Sequence, residues 1–150
     1  MIDVFVRAWD ANQEHLIKSF EDKPPRSYKE ILERLIEIVL NPYLTEETTV
    51  DYPEDGGIDI RDIVEINNGD YQGTLLYVMP FDKYQPSVDE YVYTYVGYGS
   101  CSSCDTLQRI QCFYNLDDED NKQDKVGAAK EFHTLALHML QRFKRMGDEI

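Results

Sequence analysis

The segment 91–113 constrains the fold of this chain more than any other: an alternating strand pattern is followed by a turn and by the start of a helix. Tyr91–Tyr98 alternates in a way that is typical of a half-buried β-strand: one side carries Tyr91, Tyr93 and Tyr95, and the other carries Val92, Thr94 and Val96. Gly97 and Gly99 loosen the end of that strand, and Cys104–Phe113 follows with the apolar spacing of a short helix. The side chains of this helix that we expect to point inward are Leu107, Ile110 and Phe113.

Two amphipathic helices are predicted before the sheet. Residues 2–20 carry apolar side chains at helical spacing, with charged residues between them. Ser27 and Glu30 form a capping box that should start the second helix, and Asn41-Pro42 should stop it. A helical hairpin is therefore predicted over residues 1–44.

Residues 45–99 predict a small antiparallel sheet of about three strands. The first strand is expected near Asp62–Ile66, and the turn signal Asn68-Gly69 separates it from a second strand at Thr74–Met79. The third strand is Tyr91–Tyr98, whose valine side should pack on the helices. Its tyrosine side is either covered by another helix or open as a binding surface.

Residues 100–150 predict a helical segment: the short Cys-x-x-Cys helix, an acidic linker over Asn115–Lys125 and a C-terminal amphipathic helix. Basic residues, among them Lys144 and Arg145, are expected in the last turns of that helix, where they would complement its dipole. The chain thus predicts one α+β domain of 150 residues, long enough to bury a core.

The charge balance restricts the partners. Asp and Glu number 29 against 15 Lys and Arg, for a net charge of −14, which repels nucleic-acid phosphates and favours a basic protein partner. Acidic rows can also imitate DNA and occupy a basic groove of a nucleic-acid enzyme, although solvated loops explain the same charges more simply. The residues expected to contact the partner are Asp51, Glu54, Asp55, Asp59, Asp62, Asp117, Asp118, Glu119 and Asp120.

The cysteine count and the apolar runs indicate a compartment. Three cysteines do not make a secreted disulfide framework, and the charges within Met1–Phe20 leave no signal-type apolar core. No apolar run approaches the length of a membrane span. We therefore expect a cytoplasmic protein that does not bind membranes.

The Cys101-x-x-Cys104 turn admits several interpretations. The side chains that could hold zinc are Cys101, Cys104, Cys112 and His138. Thiol-redox chemistry at a helix N-terminus, or a nucleophilic cysteine with His133 or His138 as base, would use the same turn. The structural interpretation requires no cofactor: Ser102 caps the helix, and the small cysteines pack in a tight corner.

Two segments resemble small uncharacterised proteins encoded by tailed bacteriophages. They are Gly69–Leu76 (GDYQGTLL) and Tyr98–Gln108 (YGSCSSCDTLQ), and Thr134–His138 fits the same pattern, so the resemblance runs from about residue 60 to residue 150. It implies no particular activity. It implies a phage origin and, with that, an accessory factor that binds a host enzyme or a defence complex.

The favoured hypothesis is a non-enzymatic, phage-encoded, cytoplasmic protein. It would bind a basic host protein through an acidic surface and modulate or inhibit it. Two alternatives remain: a zinc or thiol-redox protein centred on Cys101 and Cys104, and a small-molecule binder that uses the face formed by Tyr91, Tyr93 and Tyr95.

Overall fold

A computed structural model describes residues 2–45, 57–70, 72–81, 86–87, 90–100 and 105–146. The helices are α1 (Ile2–Asp22), α2 (Tyr28–Arg34), α3 (Asn41–Leu44), α4 (Thr106–Phe113) and α5 (Lys122–Gln141). The strands are β1 (Val64–Gly69), β2 (Gly73–Pro80), β3 (Tyr91–Tyr98) and β4 (Lys144–Arg145). The predicted α+β class, with N-terminal helices, an antiparallel sheet and a C-terminal helix, is confirmed.

The predicted capping box starts α2. The Ser27 hydroxyl accepts a hydrogen bond from the Glu30 backbone N–H at 3.1 Å. The Glu30 carboxylate accepts one from the Arg26 backbone N–H at 3.0 Å, one residue earlier than in a standard capping box. Two amide groups at the start of the helix are satisfied in this way, which fixes the turn between α1 and α2.

The prediction that Asn41-Pro42 ends the second helix is wrong. At Leu35 the helix α2 passes into a six-residue π-helical segment, Leu35–Leu40, and α3 follows without a break. Pro42 lies in the first turn of α3, where its missing N–H removes no bond within that helix. The wider π turn keeps four apolar side chains buried, namely Leu35, Ile36, Val39 and Leu40.

Within the described ranges the sheet has four strands in the order β1-β2-β3-β4, and all neighbours are antiparallel. The prediction of three strands missed β4. The helix α5 ends at Gln141, because Phe143 turns inward and stacks edge-on against Phe5 with ring centroids 5.4 Å apart. Lys144 and Arg145 therefore leave the helix and pair with β3, so their predicted position in the last helical turns is also wrong.

The core lies between one face of the sheet and the described helices. Val92, Thr94 and Val96 of β3 are buried there, as predicted for the valine side of the strand. The Thr94 hydroxyl donates a hydrogen bond of 2.7 Å to the backbone carbonyl of Met139, which joins β3 to α5. This bond satisfies a buried hydroxyl and fixes the position of α5 on the sheet.

Phe113 is a further correction. We expected it to point inward, but it is the last residue of α4 and is 76% exposed. The chain becomes extended at Tyr114, and the side chains of Tyr114 and Leu116 pack against the core instead.

Tyr77, in the middle of β2, is fully buried, and its hydroxyl has no hydrogen-bond partner among the described residues. Burial, and then the charge of Glu65 opposite it on β1, raises the pKa of this hydroxyl well above its usual value. We expect Tyr77→Phe to leave the free energy of unfolding unchanged or to raise it by up to about 1 kcal/mol, because the hydroxyl makes no hydrogen bond of standard geometry and the carboxylate near it, that of Glu65, is exposed to water. Urea denaturation measures this, and a clear loss of stability would reveal a hidden partner of the hydroxyl.

Candidate binding surface

The second face of the sheet is not covered by the described helices. Alternate residues of β1, β2 and β3 project from it, and each of them is partly or fully exposed. We call this set the open face, and its members are Val64, Ile66, Leu76, Val78, Tyr91, Tyr93 and Tyr95. Among the described residues, no helix covers the tyrosine side of β3: Tyr95 is exposed, and Tyr91 and Tyr93 are partly exposed.

The register joins these side chains into rows that cross the sheet. One row runs Ile66, Leu76, Tyr95, and the next runs Val64, Val78, Tyr93, Lys144. Val64 is 55% exposed, Ile66 48% and Tyr95 42%. Directly opposed side chains on antiparallel strands lie close together, so the apolar surface is continuous across three strands. Continuous exposed apolar surface of this kind marks interaction sites more often than single exposed residues do.

Cations border the open face on the β4 side. The Arg142 guanidinium lies 5.1 Å from the centroid of the Tyr95 ring, and it donates a hydrogen bond of 3.2 Å to the Tyr95 carbonyl. Lys144 pairs with Tyr93 at the same edge. The contact with Arg142 restricts the Tyr95 ring, so this aromatic side chain loses less freedom when a partner packs on it.

A shallow hollow of about 480 Å³ lies at the hairpin end of the open face. Its lining residues are Ile66, Asn67, Asn68, Thr74, Leu76 and Tyr95. The volume falls within the range of small-ligand sites, and the hollow combines apolar side chains with amide and hydroxyl groups. Both a protein side chain and a small molecule fit this chemistry.

Sequence reasoning identified the three tyrosines but missed their neighbours. Leu76 and Val78 belong to a continuous apolar run, which is typical of a strand buried on both faces. Only the register shows that Leu75, Tyr77 and Met79 face the core while Leu76 and Val78 face outward. The spacing of Val64 and Ile66, two residues apart, was the available signal for an outward-facing side of β1. The isoleucines before them gave the segment an ambiguous period, which obscured this signal.

The predicted acidic surface is only partly described. Asp51, Glu54 and Asp55 lie outside the described residues. Asp59 is not a free surface charge: its Oδ1 accepts hydrogen bonds of 3.0 Å from both the backbone N–H and the Nε of Arg61. The hydrogen bond from the Arg61 side chain is the main cause that lowers the Asp59 pKa.

The remaining acidic residues lie in two separate segments. Asp62 is exposed just before β1. The four other predicted residues, Asp117, Asp118, Glu119 and Asp120, are exposed in the loop between α4 and α5. Within that loop Asp118 Oδ1 accepts a hydrogen bond of 3.0 Å from the Asp120 N–H, so one carboxylate shapes the turn. These positions form no single described row of charge.

Cys101 and Cys104 lie outside the described residues, but the corner around them is well defined. Asp105, only 6% exposed, accepts hydrogen bonds from the Tyr28 hydroxyl at 2.7 Å, the Gly99 N–H at 2.8 Å and the Gln108 N–H at 3.1 Å. It caps α4, which begins at Thr106; the predicted cap Ser102 and the predicted first residue Cys104 lie outside the described residues. The carboxylate thus ties together α2, the end of β3 and the start of α4.

Tyr28 completes this corner. Its hydroxyl donates to Asp105 and accepts a hydrogen bond of 3.1 Å from the Leu107 N–H. Burial, and then the Asp105 carboxylate, keeps the pKa of Tyr28 far above its usual value, so the hydroxyl remains a donor. The corner is a closed hydrogen-bond network, which sequence reasoning did not detect.

The described residues of the possible zinc site are Cys112 and His138, and neither belongs to a described group of metal-binding side chains. Cys112 is exposed on α4, and His138 is exposed on α5. The part of the chain that the structure describes contains no group of three or more His, Cys, Asp or Glu side chains arranged to hold a metal. His133 stacks on Trp9, with centroids 4.6 Å apart, and its Nε2 lies 3.1 Å from Gln13 Oε1.

His133 should make stability depend on pH. Partial burial lowers its pKa, so the unfolded chain takes up a proton more readily than the folded one. Stability should be complete above about pH 7 and fall as the pH drops through about 6.5, the usual pKa of histidine. We expect His133→Gln to lose this part of the pH dependence, measured by thermal melts from about pH 7.5 to 5. Identical slopes for both proteins would assign the effect to other groups.

No protein-family model matches the chain, and no curated protein or solved structure matches it significantly. Among the helices in the described ranges, none has the length and apolar character needed to cross a membrane.

Proposed function

We propose that this protein is a non-enzymatic binding protein, phage-encoded as the resemblance implies, that engages a host protein through the open face. The supporting observation is the continuous apolar surface around Tyr95, bordered by polar and charged side chains. Aromatic side chains surrounded by a polar rim are typical of the centre of protein interfaces. By binding to the host protein, the open face would modulate or inhibit that protein.

The charge favours a basic partner. A net charge of −14 attracts a basic protein over long distances and accelerates its association. Asp62, just before β1, and Glu65, on the side of β1 opposite to the open face, are exposed and place negative charge at this edge of the sheet. The exposed loop residues Asp117–Asp120 add to the field without belonging to the contact. Association should therefore slow as salt rises, while the apolar contact persists.

A photocrosslinker tests where the partner binds. We would replace Tyr95 with p-benzoylphenylalanine, and in a second protein Phe113, an aromatic residue on the helical side that is even more exposed. Each protein is irradiated in lysate of the host bacterium at low and high salt. We expect a discrete crosslinked protein from position 95, with a yield that decreases as salt increases, and none from position 113.

The outcomes separate the possibilities. A crosslink only from position 113 would move the interface to the helical side and refute the proposal. Crosslinks of equal yield at all salt concentrations would retain the open face but reject the role of charge. No protein crosslink from position 95 would also refute the proposal.

The hollow beside Tyr95 favours a second candidate, a small-molecule binder that uses the same face. Tyr95→Ser enlarges the hollow and removes its aromatic wall, so it should abolish binding of a compound. Native mass spectrometry of protein purified from the host distinguishes the candidates: a retained small molecule supports the second, and a retained protein supports the first.

A further inference from the structure

The strand β1 forms one edge of the sheet, and it differs sharply from β4 at the other edge. β1 has six residues, all exposed, and it pairs only with β2 among the described residues. The pairing runs without a bulge from Val64–Val78 to Gly69–Gly73. On its outer side, alternate backbone N–H and C=O groups are therefore available to another strand.

Sheet edges are normally protected against such pairing. Short strands, lysine, proline, bulges and covering segments are the usual devices. β4 has two of them, because it is only two residues long and consists of Lys144 and Arg145. β1 has no lysine, no proline and no bulge, and it carries exposed Val64 and Ile66; its one charged side chain is Glu65. A carboxylate at an edge deters an acidic or apolar strand but not a basic one, so β1 is suited to pairing with a basic segment.

The charges around β1 select the kind of strand that would pair there. Asp62, Glu65 and Asp70 are exposed along it, and the nearby Arg61 is paired with Asp59. A second copy of this chain would bring another net charge of −14 to the same edge, which opposes self-pairing. A basic segment would be attracted instead.

The alternation of β1 then specifies the side-chain pattern. Val64 and Ile66 lie on the open face, and Glu65 projects from the opposite side. A strand added to β1 has the same alternation, so its residues on one side extend the apolar open face and those on the other side lie near Glu65. Alternating apolar and basic residues satisfy both requirements.

We infer that β1 accepts an extended, basic peptide segment of the protein partner as a fifth strand of the sheet. This inference rests on the proposed function and adds the mode of recognition to it. Backbone hydrogen bonds supply affinity, Val64 and Ile66 select apolar side chains, and Glu65 selects lysine or arginine. The added strand also enlarges the apolar surface that contains Tyr95.

Designed heptapeptides of alternating lysine and valine test this inference on the full chain. Amide hydrogen exchange and NMR shifts of β1 report pairing directly. We expect slower exchange at alternate amides of Val64–Gly69 when the peptide is added. A matched peptide with proline at three adjacent central positions lacks donors in both alternating sets, whichever set faces β1, and should bind at least about tenfold more weakly.

A charge exchange provides the second arm. Glu65→Lys should weaken the lysine–valine peptide about fivefold and improve the binding of a glutamate–valine peptide by a similar factor. Glu119→Lys, which makes the same charge change in the loop between α4 and α5, should leave the site preference unchanged.

Three results would overturn the inference: no slowing of exchange in β1, equal binding of the proline peptide, and no reversal of peptide preference in Glu65→Lys. Protection of β1 that grows with protein concentration in the absence of peptide would instead place a second copy on the edge. A crosslink from position 95 that persists while β1 stays unprotected would leave the proposed function intact and overturn only this inference.

Discussion

Asp105→Ala is expected to lower the free energy of unfolding by about 4 kcal/mol. The substitution removes a buried carboxylate that caps α4 and leaves three donors without an acceptor: the Tyr28 hydroxyl and the N–H groups of Gly99 and Gln108. Loss of a helix cap costs about 1 kcal/mol, and each buried donor left unsatisfied adds about 1–3 kcal/mol before the structure relaxes. Thermal denaturation should show a fall in Tm of roughly 10 °C.

Two milder variants test the same network. Asp105→Asn keeps the shape but presents an amide donor to one of the existing donors, so we expect a loss of about 2 kcal/mol. Tyr28→Phe removes one donor to Asp105 and the acceptor of the Leu107 N–H, and it should cost about 1–2 kcal/mol. In a double-mutant cycle the two residues should be coupled by about 1 kcal/mol.

Asp118→Asn is the matched control, because Asp118 also accepts a backbone hydrogen bond but is exposed. It should change stability by less than about 0.5 kcal/mol. If Asp105→Ala were as mild as this control, the network would not hold the corner between the end of β3 and the start of α4.

This corner also shows where sequence reasoning stops. Ser102 and Asp105 are both good helix caps, and local pattern places them in one capping box. The choice of Asp105 depends on Tyr28, which is 77 residues away along the chain. Contacts of that separation leave no trace in local spacing, so the helix could be predicted while its first residue could not.

Some strands of the sheet could likewise be predicted from the sequence and others could not. Strict alternation over Tyr91–Val96 predicts both faces of β3 correctly, because its period of two extends over six residues. A strand of two residues such as β4 has no measurable period, and it forms only because Phe143 is drawn into the core beside Phe5. The open face was therefore predictable for its tyrosines but not for its valine and leucine neighbours.

Asn41 illustrates the opposite error, a helix-stop signal that serves another purpose. Its Nδ2 donates a hydrogen bond of 3.0 Å to the Ile58 carbonyl, and its Oδ1 accepts one of 2.8 Å from the Ile58 N–H. Ile58 is buried and also bridges to Phe81. The amide side chain therefore takes the place of a neighbouring strand and ties α3 to the segment that leads into β1.

Asn41→Ala should accordingly lower the free energy of unfolding by about 3 kcal/mol, because both backbone groups of Ile58 lose their partners. Asn115→Ala, at an exposed asparagine, is the control and should change stability by less than about 0.5 kcal/mol. Urea denaturation monitored by circular dichroism measures both. A loss in Asn41→Ala no larger than in the control would mean that water replaces the amide at Ile58.

Gly57 lies against the Asn41 side chain, so a substitution there tests the same junction and should lower stability. Its φ of +70° favours glycine, and an added Cβ would lie 2.5 Å from Asn41 Oδ1. Gly57→Ala should therefore cost about 2–3 kcal/mol, from backbone strain and from displacement of the Asn41 amide. In the double variant with Asn41→Ala the collision is gone, so the combined loss should be smaller than the sum by about 1 kcal/mol or more. Strict additivity would show that the two residues do not meet, and that the stability of this junction resides elsewhere.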